Sequence, residues 1–204
     1  VIGHTKTGSE LTQVECLCCG QHGSMTFWHR LHNYDIVRCC SCKHAQLLHM
    51  PSSSELAAFY STYSALYPGR DTSDVRFLKT RNYHSWIAKN RLKKSVALLD
   101  QAAGRALNIL EIGCGSGIFI EQIVNSGHFS TGIELSEQLA EQARLTNPSA
   151  RIICGSLADA DLLDGEFDLV VAWDVIEHVP EQRETFEKIK RVLKTGGVFA
   201  AATV

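Results

Sequence analysis

The residues of this chain that can do chemistry fall into three sets. Cys16 with Cys19, and Cys39 with Cys42, form two Cys-x-x-Cys pairs, and the two-residue spacing lets both thiolates of a pair reach one ion. Glu111-Ile112-Gly113-Cys114-Gly115-Ser116-Gly117 sets a carboxylate before a glycine-rich turn, and Glu134 follows at the end of the next strand-like stretch. Glycines permit close approach to the backbone, and the free N–H groups of a helix start serve as donors. A carboxylate ending the second strand can accept both hydroxyls of a ribose. Asp174, Glu177 and His178 add two carboxylates and an imidazole, a side chain able to serve as a base.

The elements that must position these groups can be read from the surrounding pattern. Leu107–Glu111 is an apolar run, and Ile118–Ser126 is amphipathic, so the glycines form a strand-to-helix elbow. Taken alone, the glycines also fit a plain tight connection. Phe129–Glu134 reads as a second strand and Arg151–Cys154 as a third. Phe167–Trp173 reads as a fourth, and Val198–Val204 as a fifth after Gly196-Gly197. The turn departs from the dinucleotide fingerprint, with Ile118 and Phe119 where a third glycine would come.

Composition narrows the class. At 204 residues the chain is long enough for one good core and a small accessory module. Hydrophobic residues make up 45% and the formal charge is −2, so no basic footprint points to nucleic acid. No apolar run approaches the roughly 20 residues of a membrane span. The first residues lack the apolar core of a signal peptide, and the expected location is the cytoplasm.

Six of the eight cysteines lie between residues 16 and 42. In a cytosolic chain, paired knuckles at this spacing read as a tetrahedral zinc site on Cys16, Cys19, Cys39 and Cys42 rather than as disulfides. Four thiolates leave no open position for water or substrate, so the metal is structural. Cys18 and Cys40 are spare, and His22, His29, His32 and His44 are outside candidates. Free or redox-active thiols are the other reading. Cys114 and Cys154 belong to the second half as small buried side chains.

Between the two halves, Pro51-Ser52-Ser53-Ser54-Glu55 reads as a linker and a helix start, with Leu56, Phe59 and Tyr60 as an apolar face. Pro68-Gly69-Arg70-Asp71 breaks it. A longer helix is expected from Ser73 to Ala103, interrupted near Tyr83, with Phe77, Trp86, Ile87, Leu92, Val96, Leu98 and Leu99 as core contacts. The expected division is therefore residues 1–50, 51–103 and 104–204.

Three ordered motifs carry a family resemblance. The glycine turn behind Glu111 resembles motif I of class I S-adenosylmethionine-dependent methyltransferases. Glu166–Val179 resembles the fourth strand and substrate-facing loop of that family, and Arg191–Phe199 resembles the helix, Gly-Gly turn and fifth strand. The resemblance implies an α/β, Rossmann-like core, truncated after strand 5, behind a zinc ribbon and a helical linker. It places Glu111, Gly113, Cys114 and Gly115 around the methionine half of S-adenosylmethionine, with Glu134 on the ribose. Ser156 and Leu157 would flank the adenine. Family members often carry an acidic residue at the Ser156 position, and Asp159 is a substitute for it here. Ala172 would offer its carbonyl to the methionine ammonium. The order of ribbon, linker and core resembles bacterial methyltransferases that include deoxysugar C-methyltransferases, in which a helix covers the cofactor. Tyr60 and Tyr63 would then face the site, or else pack at a domain junction.

The expected function is methyl transfer to a small molecule, a nucleotide-linked sugar or another natural-product intermediate, with His178 as the base. A second reading holds a divalent ion on Asp174, Glu177 and His178, spaced i, i+3, i+4 on one helical face. This resembles the Glu-x-x-Glu-His site of some O-methyltransferases, with Asp174 in place of the first Glu. A third makes the ribbon a docking module for a macromolecule on a non-catalytic scaffold. The family sheet has seven strands, so the apolar Val198–Val204 strand is expected to be covered by further chain or by a partner, or to self-associate.

Overall fold

The computed structural model describes residues 10–11, 14–52, 54–55, 58, 75–99, 104–179 and 181–203. They fall into two compact units. One ends at Ser52 and takes in a short piece before Glu184, and the other holds the rest.

The N-terminal unit is an antiparallel meander. Strands β1 (Glu10–Leu11), β2 (Met25–Leu31), β3 (Tyr34–Cys39) and β4 (Ala45–Leu47) follow one another in sheet order. A bulge between Phe27 and His29 leaves Trp28 unpaired in the β2–β3 register. Among the described residues, its buried apolar cluster is Cys16, Met25, Val37 and Cys39, with Val14 and Leu48 packed against it. So small a core cannot offset the ordering entropy of the segment, and a cross-link through the cysteines is the natural supplement.

The second unit begins with α1 (Val75–Val96) and then alternates strand and helix. β5 (Asn108–Ile112), α2 (Ile118–Asn125), β6 (Phe129–Glu134), α3 (Glu137–Thr146) and β7 (Arg151–Cys154) lead to β8 (Phe167–Trp173). A 3₁₀ turn (Ile176–His178), α4 (Gln182–Val192) and β9 (Leu193–Ala202) complete it. The strands pair in parallel in the order β7-β6-β5-β8-β9, with β9 at one edge. Strand β8 is apolar from Leu169 to Trp173 because both of its faces are covered. Ile109, Leu169 and Val171 pack with Ala88 and Leu92 of α1 and Phe119, Ile120 and Ile123 of α2. Leu110, Ile112, Val170 and Ala172 face Ile189 and Val192 of α4.

Three details differ from the expectation. Helix α1 is shorter than Ser73–Ala103 and runs unbroken through Tyr83. Trp86 and Leu98 are 63% and 61% exposed rather than core contacts. On α1 the buried phase is Ala88, Leu92 and Ser95, and Trp86 falls on the other side of the helix, where it stacks on Tyr83. Gly196-Gly197 is not a turn ahead of the last strand but lies inside β9. Phe167 pairs with Leu193 and Leu169 with Val198, so residues 194–197 bulge from the ladder, with Gly196 at φ 79°. Among the described residues, no helix is long and apolar enough to cross a membrane.

Candidate functional site

The four cysteines chosen by spacing converge. Their sulfurs all lie within 4.8 Å of one another, with Cys16–Cys42 at 3.5 Å and Cys19–Cys39 at 3.8 Å. A tetrahedral ion with bonds of about 2.3 Å to sulfur requires sulfur–sulfur edges of about 3.8 Å, so the set fits zinc. The two knuckles are built alike. The N–H of Gly20 donates to the Cys16 carbonyl at 2.8 Å, that of Lys43 to the Cys39 carbonyl at 3.1 Å, and both donor residues are left-handed at φ 72° and 67°. Burial pushes the Cys16 thiol up to about 12, whereas a hydrogen bond with the Ser24 hydroxyl brings Cys39 down to about 5. Cys18 and Cys40 stand outside the cluster, exposed.

The second site is assembled where strand order reverses. From β5 the chain proceeds to β6 and β7 on one side and then crosses to β8 on the other, which opens a crevice at the carboxyl ends of β5 and β8. Ile112 and Ala172 form the last rung between those strands, and Ala172 is fully buried there. Beyond it the glycine turn hangs on the end of β6. The N–H groups of Gly113 and Cys114 donate to the Ile133 carbonyl at 2.8 and 3.0 Å, and Gly115 N–H donates to Glu134 Oε2 at 2.8 Å. Ser136 N–H donates to the other Glu134 oxygen at 2.9 Å. A methyl group at Gly113 would collide with Val175, whereas one at Gly115 would meet nothing within 4 Å. The free space at this turn therefore lies beside Gly115. The Cys114 side chain is packing material, buried in the α1/α2 core against Gly132.

Glu111 is buried and its Oε2 has no hydrogen-bond partner. Burial, and then the charge of Glu134, hold its carboxyl well above the usual range, against the pull of Arg91. Burial also raises Glu134, opposed by the N–H groups of Ser136, Gly115 and Leu135. A buried acceptor left unpaired among acidic neighbours, next to a glycine turn, suits a ligand ammonium. The donor set fits the amino-acid end of S-adenosylmethionine on this ground.

Two residues here escaped the sequence reading. Arg91 of α1 reaches over the Trp173 ring, its guanidinium carbon 4.8 Å from the ring centre, and lies 3.5 Å from Asp174 Oδ2. The signal was a cation three residues after Ala88, on the Ala88, Leu92, Ser95 stripe. Trp173 ends β8 with its indole nitrogen buried and unpartnered.

The remaining candidates are dispersed. Ser156 follows β7, with its hydroxyl 2.6 Å from the Asp159 carboxylate and accepting the Asp159 N–H at 3.2 Å, while Leu157 packs into the α4-side core. His178 is exposed on the 3₁₀ turn. Tyr60 and Tyr63 lie outside the described residues. The three-residue metal reading needs correction. Asp174 is left-handed at φ 57° and precedes the turn, so Asp174, Glu177 and His178 do not share a helical face. Among the described residues, the four cysteines are the one set of potential ligands that converges.

A family model described as a methyltransferase domain matches residues 110–201. An S-adenosylmethionine-dependent methyltransferase of Mycolicibacterium smegmatis is 35% identical over 106 residues, covering 52% of this chain and 40% of that protein. A ubiquinone biosynthesis O-methyltransferase of Methylococcus capsulatus is 33% identical over 109 residues, 50% of this chain and 44% of its own. The chain thus spans less than half the length of these curated relatives. Among solved structures, the PH0226 protein of Pyrococcus horikoshii superposes with a TM-score of 0.51 at 24% identity, covering 68% of this chain and 64% of that one. The [4+2]-cyclase SpnF does so with 0.57 at 17%, covering 74% and 60%. The two superpositions speak to the fold, and the sequence matches to the glycine turn and the strands around it. Residues 110–201 thus match a methyltransferase domain in sequence, and the second unit matches such proteins in fold.

Proposed function

We propose that this protein transfers a methyl group from S-adenosylmethionine to a small-molecule acceptor, a nucleotide-linked sugar or another natural-product intermediate, and that zinc on Cys16, Cys19, Cys39 and Cys42 holds its ribbon together. The observation that carries the reading is the unpaired, buried Glu111 oxygen at the end of β5, ahead of a glycine turn whose Gly115 has an open flank and one strand away from Glu134. Each Glu134 oxygen accepts one backbone N–H, which leaves lone pairs for the two ribose hydroxyls. Glu111 and the Ala172 carbonyl take the ammonium, and Ser156 and Leu157 flank the adenine. The sulfonium cofactor supplies an activated methyl group together with its own leaving group. The protein's task is then alignment and removal of the acceptor's proton, for which His178 is placed beyond β8 with an accessible imidazole. The exposed setting of His178 supports a role towards an acceptor rather than the cofactor. The names of the O-methyltransferase relatives favour a small acceptor, and the reduced-thiol chemistry of a zinc ribbon favours the cytoplasm.

Calorimetry tests this. S-adenosylmethionine should bind the protein, and Glu134→Ala should weaken it by about 1–3 kcal/mol, the cost of leaving a hydrogen-bonded site incomplete. Unchanged affinity would remove Glu134 from the site.

A further inference from the structure

Trp173 is held in place by packing, yet its one polar atom is unused. Arg91 lies over the indole and the Phe119 ring leans on it at 5.5 Å between centres, but the buried Nε1–H has no acceptor. Glu111 carries the complementary defect, a buried acceptor oxygen with no donor. The two are neighbours by construction. Glu111 pairs with Val171, two residues before Trp173, so both side chains emerge on the same face of adjacent strands. Strand spacing and rise put their Cα atoms roughly 8 Å apart. Arg91 acts on both, through its charge on Glu111 and its position over Trp173.

An acceptor, a donor and a cation gathered at the carboxyl ends of β5 and β8 match the polarity of a zwitterion. A ligand ammonium would pair with Glu111, and a ligand carboxylate would meet Arg91 and the indole N–H together. Arg91 alone does not explain the arrangement, because its guanidinium already has Asp174 at 3.5 Å and stays partly exposed, while the indole nitrogen is buried and without a protein acceptor. Buried donors left unpaired in the free protein are a mark of a ligand that completes them.

We propose that Trp173, through its indole N–H, is a specificity-determining donor to the carboxylate of the cofactor's amino-acid end, acting beside Arg91. The proposal rests on the reading of this domain as a site for S-adenosylmethionine. It distinguishes this chain from one in which an apolar side chain ends the fourth strand and only the guanidinium meets the carboxylate.

The test compares two ligands that share the adenosine half, S-adenosylhomocysteine and 5′-methylthioadenosine, which lacks the amino-acid end. Calorimetry on the whole chain should show W173F, which keeps an aromatic ring and loses the N–H, binding S-adenosylhomocysteine about tenfold more weakly. Its affinity for methylthioadenosine should be unchanged. Equal weakening of both ligands, or of neither, would overturn the proposal. Should W173F fail to fold, the wild-type protein still decides. Of its three tryptophan indole N–H resonances, the one that is neither Trp28 nor Trp86, identified with W28F and W86F, should move on addition of S-adenosylhomocysteine and hold still with methylthioadenosine. An unmoved resonance overturns the proposal. If the wild type binds neither ligand, the cofactor reading itself fails and this proposal with it; if it binds both and only the tryptophan tests fail, the cofactor reading stands.

Discussion

The ribbon and the cofactor turn both bend the chain through left-handed backbone, and they use it for opposite ends. In the ribbon, Gly20 and Lys43 close two equivalent knuckles so that four side chains point at one centre. Left-handed backbone is affordable even for a lysine there, at about 1–2 kcal/mol, because the knuckle is fixed by its own hydrogen bond and by its cysteines. In the cofactor turn, Gly113, Gly115 and Gly117 at φ 72°, 53° and 84° serve to keep side chains out. A metal site is made of what its residues carry, and a nucleotide site largely of what they lack. The two regions should therefore fail differently.

The largest effect is expected in the ribbon. Its buried apolar cluster includes two of the four converging cysteines, so the proposed metal site and the core share residues. Elemental analysis of protein purified without added metal should find one zinc per chain, and Cys39→Ser should lose it and unfold the N-terminal unit. Binding free energies of structural zinc, on the order of 10 kcal/mol, exceed anything so small a core can supply. Amide exchange should show β2 and β3 unprotected in the variant while β5 and β8 keep their protection. An ordered β2–β3 hairpin in zinc-free protein would end this account of the ribbon.

Within the cofactor turn, the glycines should separate by what surrounds them. Gly113→Ala places a methyl against Val175 on left-handed backbone and should destabilise the second unit by about 2–4 kcal/mol, from overpacking and strain together. Gly115→Ala meets open space and should cost about 1 kcal/mol in stability, yet should impair binding of S-adenosylhomocysteine, since its methyl enters the space left for the ligand. Urea unfolding and calorimetry on both variants check the pair. Equal stability loss with intact binding in Gly115→Ala would mean that the turn serves only to connect β5 to α2.

How much of this was legible in the sequence follows from the same contrast. The cysteine set could be read because its information is local, two residues within each pair and one core between the pairs. The strands of the second unit and their Rossmann-like class were legible because the apolar runs, the elbow after Glu111 and the carboxylate at Glu134 are each continuous in sequence. Arg91 was not, because its role depends on α1 being laid across the end of β8, some eighty residues later in the chain, and helical phase gives only the face. The wrong phase for Trp86 has the same origin, since an aromatic residue on an amphipathic helix was assigned inward by type rather than by angle. Asp174 was read as part of a helical turn because nothing in its residue type announces φ 57°. The bulge at 194–197 escaped because Gly-Gly ordinarily signals a turn, and here it lets β9 skip residues without leaving β8.

The effect confined to one end of the pH range lies at the opposite end of the second unit, where the strands begin. Asp168 is buried at the start of β8 and accepts from Arg105 at 2.8 Å, from the Asn108 N–H at 2.8 Å and from Lys194 at 2.9 Å. Burial alone would raise its carboxyl, but the Arg105, Asn108 and Lys194 donors outweigh it and hold the group from the usual 3.8 down to about 2. A carboxyl whose folded value is depressed contributes stability that is fully present above its unfolded value and is lost as pH falls through the folded one. Asp168 should therefore add about 2 kcal/mol at neutral pH, unchanged down to about pH 5, with the loss confined to the window from about pH 4 to pH 2. Amide exchange of β5 and β8 reads this without interference from the ribbon. Relative to wild type, Asp168→Asn should be less protected at pH 5, and the gap should shrink to about a third by pH 2.5. A gap of the same size at both values would mean that Asp168 stabilises the sheet through its shape and hydrogen bonds alone, not through its charge.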